Sequence, residues 1–376
     1  MKITIKKLVL QSLVEKAGAI VTGSCREILP VLKNFHLEAR QGERPRLRVV
    51  ATDLDLAVIA DSEMIVVDEP GDSIVPAKKL VDMVKEAGDV DITITTNGEV
   101  ATVVTPTTSW SMQLMKDTYP VIPDASQVTW FPVEADKFAA GLKKVRNAIS
   151  SDLDKRPELT LVKCSTEGIF ATDGARLHVS RVTVPVDFDL PSAAVDDLAR
   201  MMRGLQDATV RIAQTDSHIL FEIANNILIA TKLQVQFPTI QHILNSRSNN
   251  NLELQVAVAE LISAIKRARI TADDETNRIA LTVDNHSLVI ETRDKMGGTC
   301  RETLSVHWPH KEARFATNWS YLLQAINDME SPNIRLMFGT DRGKQKAPIV
   351  LEEDSFFAII NQLRLDEEPI KVALVK

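Results

Sequence analysis

Residues 77–95, AKKLVDMVKEAGDVDITIT, carry two periodicities in succession. Leu80, Val84 and Ala87 are spaced as one face of a helix, and Ile92 and Ile94 alternate as one face of a strand. The stretch reads as helix, tight turn, strand. The same offsets return at Leu198, Met202, Leu205, Val210 and Ile212, and again at Leu322, Ile326, Met329, Ile334 and Leu336. A second helical face lies 60 to 70 residues before each anchor leucine: Leu10, Leu13, Val14 and Ala17; Phe138, Gly141, Leu142 and Val145; Leu261, Ala264, Ile265 and Ala268. Between the two faces runs β-rich sequence such as LRVVATDLDLAVIA. Two helices and a strand in one order, three times over, predict an α+β chain of three tandem domains, each with two helices packed on β-sheet. Turn-formers gather at 119–127 and 245–251, which sets the domains at 1–125, 126–248 and 249–365 and leaves 366–376 as a tail.

Composition narrows the function. Apolar residues at 44% and charged residues at 25% are those of an ordinary folded protein. With 11 Phe, 4 Trp and 2 Tyr, stacking of many bases on aromatic platforms has little raw material, so any nucleic-acid contact goes mainly through phosphates. The formal charge of −7 excludes a general polycation. Cys25, Cys164 and Cys300 are distant and odd in number, which argues against a disulfide framework or a cysteine metal site and fits a reducing cytoplasm. No stretch approaches the roughly 18 apolar residues of a membrane span.

Positive charge is nevertheless organised. Leu142 is followed by Lys143, Lys144 and Arg146, and its counterpart Ile265 by Lys266, Arg267 and Arg269, the same basic pattern at the same register. Lys78 and Lys79 add to it on the first repeat, and Arg200 and Arg203 on the second. These residues are expected to form a basic face for phosphates.

Catalytic constellations fail. GTDRGKQ at 339–345 lacks the spacing and the Ser or Thr of a phosphate-binding loop. His307 and His310 in HWPH have no companion ligands, so no metal or cofactor is expected. Asp53 and Asp55 share a strand face as an acid–base pair would, yet ATD recurs at 171–173, which favours a structural turn. A binding role without catalysis is the expectation.

Several stretches together resemble a known family, the β subunit of bacterial DNA polymerase III, the sliding clamp. They are SCREILPVLKNFHLEA, ATDLDLAV and VPAKKLVDMV in the first domain, RPELTLV, FATDGARLHVSRV and FPTIQHIL in the second, and AIINQLRL in the third. The resemblance implies a head-to-tail homodimer forming a ring around duplex DNA, without sequence specificity, loaded by a separate clamp loader. It implies no membrane role. Arg26 matches a DNA-contacting position of the family. The DNA-facing set is then Arg26, Lys78, Lys79, Lys143, Lys144, Arg146, Arg200, Arg203, Lys266, Arg267 and Arg269. DNA polymerase and other partners are implied to insert a short hydrophobic peptide into a cleft made here by Leu159, Thr172, Gly174, Arg176, Leu177, Pro238, His242, Ile243, Ile359, Asn361, Gln362, Leu363, Arg364 and Leu365. Leu177, Ile243, Ile359 and Leu363 are expected to converge on its apolar pocket.

Geometry supports the dimer separately. Six helices spaced about 10 Å apart enclose a hole of only about 9 Å, whereas twelve enclose about 28 Å, enough for a duplex about 20 Å across. The chain departs from the family at Asn361–Leu365, where Met-Pro-Met-Arg-Leu is usual, at His242 and Ile240, and in its tail. Those departures keep a second reading open, a clamp-fold interaction scaffold with an altered partner set that does not support replicative synthesis. For the tail, Ile370, Val372, Leu374 and Val375 either fold back over the cleft or extend passively.

Overall fold

The computed structural model of the chain describes residues 1–24, 29–125, 127–339 and 347–365. Cys25, Arg26, residues 340–345 of the GTDRGKQ stretch and the 366–376 tail lie outside the described residues. Seven α-helices occur among the described residues: α1 Lys7–Ser24, α2 Ala77–Glu86, α3 Ala135–Arg146, α4 Ser192–Met201, α5 Gln241–Ser246, α6 Val258–Ala268 and α7 Trp319–Asn327. The helix-to-strand signature falls on α2, α4 and α7, each followed by a strand: Asp91–Thr96, Thr209–Gln214 and Asn333–Phe338. Of the fifteen signature residues only Leu205 is not buried. The second set of faces lies on α1, α3 and α6 and is buried throughout. Burial of each large side chain contributes about 1.5 to 3 kcal/mol, so these faces fix which side of every helix meets its sheet. Asn318 caps α7 by accepting hydrogen bonds from the Ser320 and Tyr321 amides.

The three repeats form two compact units, because the middle repeat divides its strands between them. The first comprises Met1–Ala139 and Leu190–Gln234. It holds a five-stranded sheet ending on Ser109–Gln113 and an eight-stranded sheet. In the larger sheet the first repeat's strand Leu56–Ser62 pairs antiparallel with the second repeat's Asn226–Thr231, Ala230 opposite Leu56. The second unit comprises Ala140–Asp189 and Val235–Lys376. Its eight-stranded sheet is joined the same way, the second repeat's Arg176–Ser180 pairing with the third repeat's Phe356–Ile360 and Arg176 opposite Ile360. A four-stranded sheet in this unit ends on Thr299–Ser305. Unbroken ladders across the repeat junctions leave no unpaired edge there.

Candidate functional site

The repeated ATD motif is a turn, built identically twice. Thr52 Oγ1 donates to the Leu56 carbonyl, while Asp53 Oδ1 accepts from the amides of Asp55 and Leu56. In the second repeat Thr172 Oγ1 donates to the Arg176 carbonyl, and Asp173 Oδ1 accepts from Ala175 and Arg176. The Asp53 carboxylate is thus committed to backbone donors, and the acid–base reading of Asp53 with Asp55 fails. His307 and His310 are exposed around the buried Trp308, whose ring stacks on Phe338. No group of potential metal ligands occurs among the described residues.

The predicted cleft residues all lie in the second unit, on three converging segments. Leu159, Thr172, Leu177 and Ile359 are almost fully buried, and Leu177 sits opposite Ile359 in the strand ladder. Leu177 and Ile359, expected to converge on the pocket, are thus interior residues with almost no accessible surface. The accessible apolar surface is instead that of Pro238, Ile243, Leu363 and Leu365, all half-buried, flanked by exposed Gly174, His242, Asn361 and Arg364. The C-terminal segment is strapped down by its backbone. The Asn361 amide donates to the Ala175 carbonyl at 3.0 Å, the Leu363 amide to the Ala316 carbonyl at 2.8 Å, and Gln362 Nε2 to the Ala347 carbonyl at 2.7 Å.

Beneath this surface lies a polar network that the sequence reading did not anticipate. Arg176 is nearly buried. Its guanidinium donates to Asp173 Oδ2 at 3.0 Å, to Gln324 Oε1 and to the Asn147 carbonyl, and stacks 4.2 Å from the Tyr321 ring centroid. Asn147 Nδ2 in turn donates to the Asp328 carboxylate, which lies 3.7 Å from Nδ1 of the fully buried His178. Burial pushes the Asp328 carboxyl up to about 6, against the Asn147 hydrogen bond and nearby cations. Burial, and then the Arg176 charge, push His178 down to about 3. The sequence signal was available: Arg176 and His178 occupy strand positions held by Leu56 and Val58 in the first repeat.

The basic positions divide by register. Lys143 and Lys266, one residue after the anchor, are exposed, Lys143 being among the cations near the Asp328 carboxyl. The next register is neutralised. Lys144 is buried and pairs with Glu353 at 3.0 Å and Glu330 at 3.1 Å, and Arg267 pairs with Glu302 at 2.6 Å. Lys144 therefore turns into the protein and is withdrawn from the DNA-facing set. Arg146 and Arg269 are exposed, Arg269 lying over the Trp319 ring. In the first unit Lys78, Lys79 and Arg203 are exposed, and Arg200 is paired with Asp197. Arg200 and Arg203 join Lys16 of α1 around a cavity of about 420 Å³. Lys16 was missed, although it stands at the register of Lys144 and Arg267; burial lowers its pKa.

Three copies of a two-helix unit, joined by sheets that run through the junctions, define a clamp-type fold. Residues 1–123 match the model of the DNA polymerase III β-subunit N-terminal domain, and residues 247–357 that of its C-terminal domain. The β sliding clamp of Synechococcus elongatus is 27% identical over 339 residues, covering 86% of this chain and 88% of that protein. The β sliding clamp of Escherichia coli is 25% identical over 354 residues, covering 90% and 93%. The crystal structure of the DNA polymerase III β subunit from Pseudomonas aeruginosa superposes with a TM-score of 0.87 at 21% identity, over 97% of this chain and all of that one. The chain belongs to the DNA polymerase III β-subunit family, the sliding clamps of DNA replication.

Proposed function

We propose that two copies of the chain close head to tail into a ring around duplex DNA, and that the ring tethers DNA polymerase and its loader through the cleft of the second unit. The observation that carries this reading is a pair of open sheet edges. Leu56–Ser62 and Arg176–Ser180 each pair with a strand of the next repeat, Asn226–Thr231 and Phe356–Ile360. Their counterparts in repeat order are Thr299–Ser305 in the third repeat and Ser109–Gln113 in the first, and these two end their sheets among the described residues. Pairing Thr299–Ser305 of one copy with Ser109–Gln113 of another continues the same architecture, and doing so twice consumes every such edge.

Such a ring attaches by topology. It needs no catalysis and no cofactor, and it holds the duplex through the exposed cations rather than through base contacts. The three domains, 1–125, 126–248 and 249–365, are the units that repeat around it. The test is retention on nicked circular DNA with a clamp loader and ATP. Loaded protein is expected to stay on the circle through a high-salt wash and to leave when the circle is cut. Equal loss from circular and linear DNA would remove the ring and leave the scaffold reading, which the altered Asn361–Leu365 segment favours.

A further inference from the structure

The cleft of the second unit has a repeat-related counterpart in the first. A cavity of about 160 Å³ is lined by Thr52, Leu54, Leu56, Ala57, Pro120, Ile122 and Thr231, among others. Counted from the two ATD turns, the two linkers and the two junction strands, these stand where Thr172, Gly174, Arg176, Leu177, Pro238, Ile240 and Asn361 stand in the second unit. The volume admits one aliphatic side chain.

Two large apolar side chains and a strained turn mark its rim. Val121 is 95% exposed and Leu54 is 51% exposed, two large apolar side chains offered to water at the mouth of one cavity. Leu54 is moreover held at φ 79°, the conformation its counterpart Gly174 adopts at φ 90° without a side chain to strain it. A bulky residue retained in a left-handed turn, with its side chain at the mouth of a cavity, is strain that the turn itself does not need. Charge supplies the third feature. Lys232 directly follows Thr231, a lining residue, and its amide donates to the Ser217 carbonyl beside His218, another; its ammonium donates to Gln214 Oε1 and the Thr215 carbonyl and forms no ion pair among the described residues. Asp53, beside Leu54, is already engaged by backbone amides.

We propose that this cavity is a second docking site for a partner protein, taking a short segment that places one leucine-type side chain between Leu54 and Val121 and an adjacent carboxylate toward Lys232. The inference rests on the reading of the chain as a peptide-binding clamp. Two such sites per chain let one partner hold two points, or two partners share a ring.

The probe is the peptide acetyl-Ser-photoleucine-Asp-Ser-amide, cross-linked to the full chain and mapped by mass spectrometry. Labelling is expected at residues 52–57 and 120–123. It should fall at least fivefold in Leu54→Gly and in Val121→Asp, and at least threefold when the peptide carries Lys in place of Asp. The same digest reports the cleft around Ile243 and Leu363 separately. Label at the cleft with none at 52–57 and 120–123 overturns this inference and spares the proposed function, whose own test is retention on circular DNA. A chain ending at Leu365 is run beside it. Label at 52–57 and 120–123 that appears only in that chain would assign the cavity to the tail and overturn the partner reading.

Discussion

The two eight-stranded sheets follow one plan, yet their junction strands differ in kind. In the first unit Leu56 and Val58 fill the junction; in the second, Arg176 and His178 do, and with them come Asn147, Asp328, Lys144 and Glu353. The same ladder can therefore be closed with apolar side chains or with charges that must each find a partner. The apolar solution gives stability directly, whereas the charged one contributes little net stability but becomes costly when one member is removed. Glu353 shows how closely the second solution is drawn. One oxygen receives Lys144 and the other the amides of Glu330 and Ser331.

The largest expected effect breaks that network. Glu353→Ala leaves the Lys144 ammonium buried with only the Ser355 hydroxyl and the exposed Glu330 beside it, and should cost about 3 to 5 kcal/mol in urea unfolding. Val58→Ala at the apolar junction should cost about 2 kcal/mol, the ordinary price of a cavity. Equal losses would mean that Lys144 reaches water when its partner goes, and that the two junctions do not differ in the way described.

Acid and base should also tell the junctions apart. Below about 6.5 the unfolded chain's histidine takes up a proton that folded His178, held near 3, refuses, so this group withdraws stability as pH falls from about 6.5 toward 3. Asp328 acts with the opposite sign. Its folded carboxyl is protonated near 6 and the unfolded one near 3.8, so the group withdraws stability as pH rises between those values. Asp328→Asn should therefore gain most relative to the parent above pH 6, and His178→Phe should gain most below it. Calorimetric melting between pH 4 and 8 measures both. A His178→Phe profile parallel to the parent's would show that the imidazole titrates normally in the fold.

A smaller effect is expected on the basic faces. Lys143→Glu with Arg146→Glu should weaken duplex binding about tenfold and flatten its dependence on salt, because each phosphate contact releases counterions. The melting temperature should hardly move, since both side chains are exposed. Lys144→Glu should instead destabilise the chain. If it bound DNA more weakly without loss of stability, Lys144 would belong to the DNA-facing set after all.

The helices, the signature strands and the repeat were legible because burial selects apolar residues at fixed periods, and three copies multiply a weak signal. The ATD turns were legible because the motif recurs at 51–53 and 171–173. What escaped was the direction of individual polar side chains. Lys143 and Lys144 are neighbours in a basic run, and composition gives them one role, but a helix turns consecutive residues about 100° apart, so one meets solvent and the other the Glu353 carboxylate. Likewise Leu177 and Ile359 carry the apolar character a ligand pocket needs, yet strand pairing commits both to the interior. Arg176 and His178 were visible as departures from the first repeat, but their partners Asn147, Gln324 and Asp328 come from segments distant in sequence, which no local pattern links.

The smallest expected effect concerns the turns themselves, where the two units differ by one residue in an otherwise shared hydrogen-bond pattern. A residue with a side chain pays about 1 to 2 kcal/mol in the left-handed region, and glycine returns about 0.4 to 1 kcal/mol of that through the freer unfolded chain. Leu54→Gly should then stabilise the first unit by about 0.5 kcal/mol. Gly174→Ala should destabilise the second by about 1 to 2 kcal/mol, a cost that lies in the backbone. The added methyl group would meet chiefly the Arg156 guanidinium at 3.1 Å, the movable end of a long, exposed side chain. Two-state unfolding of each variant, read by a probe in its own unit, gives the sign. Should Leu54→Gly lose more than about 1 kcal/mol, the leucine would be holding its turn by packing, the scale of a partly buried aliphatic side chain. The strain at residue 54 would then no longer speak for a docking partner.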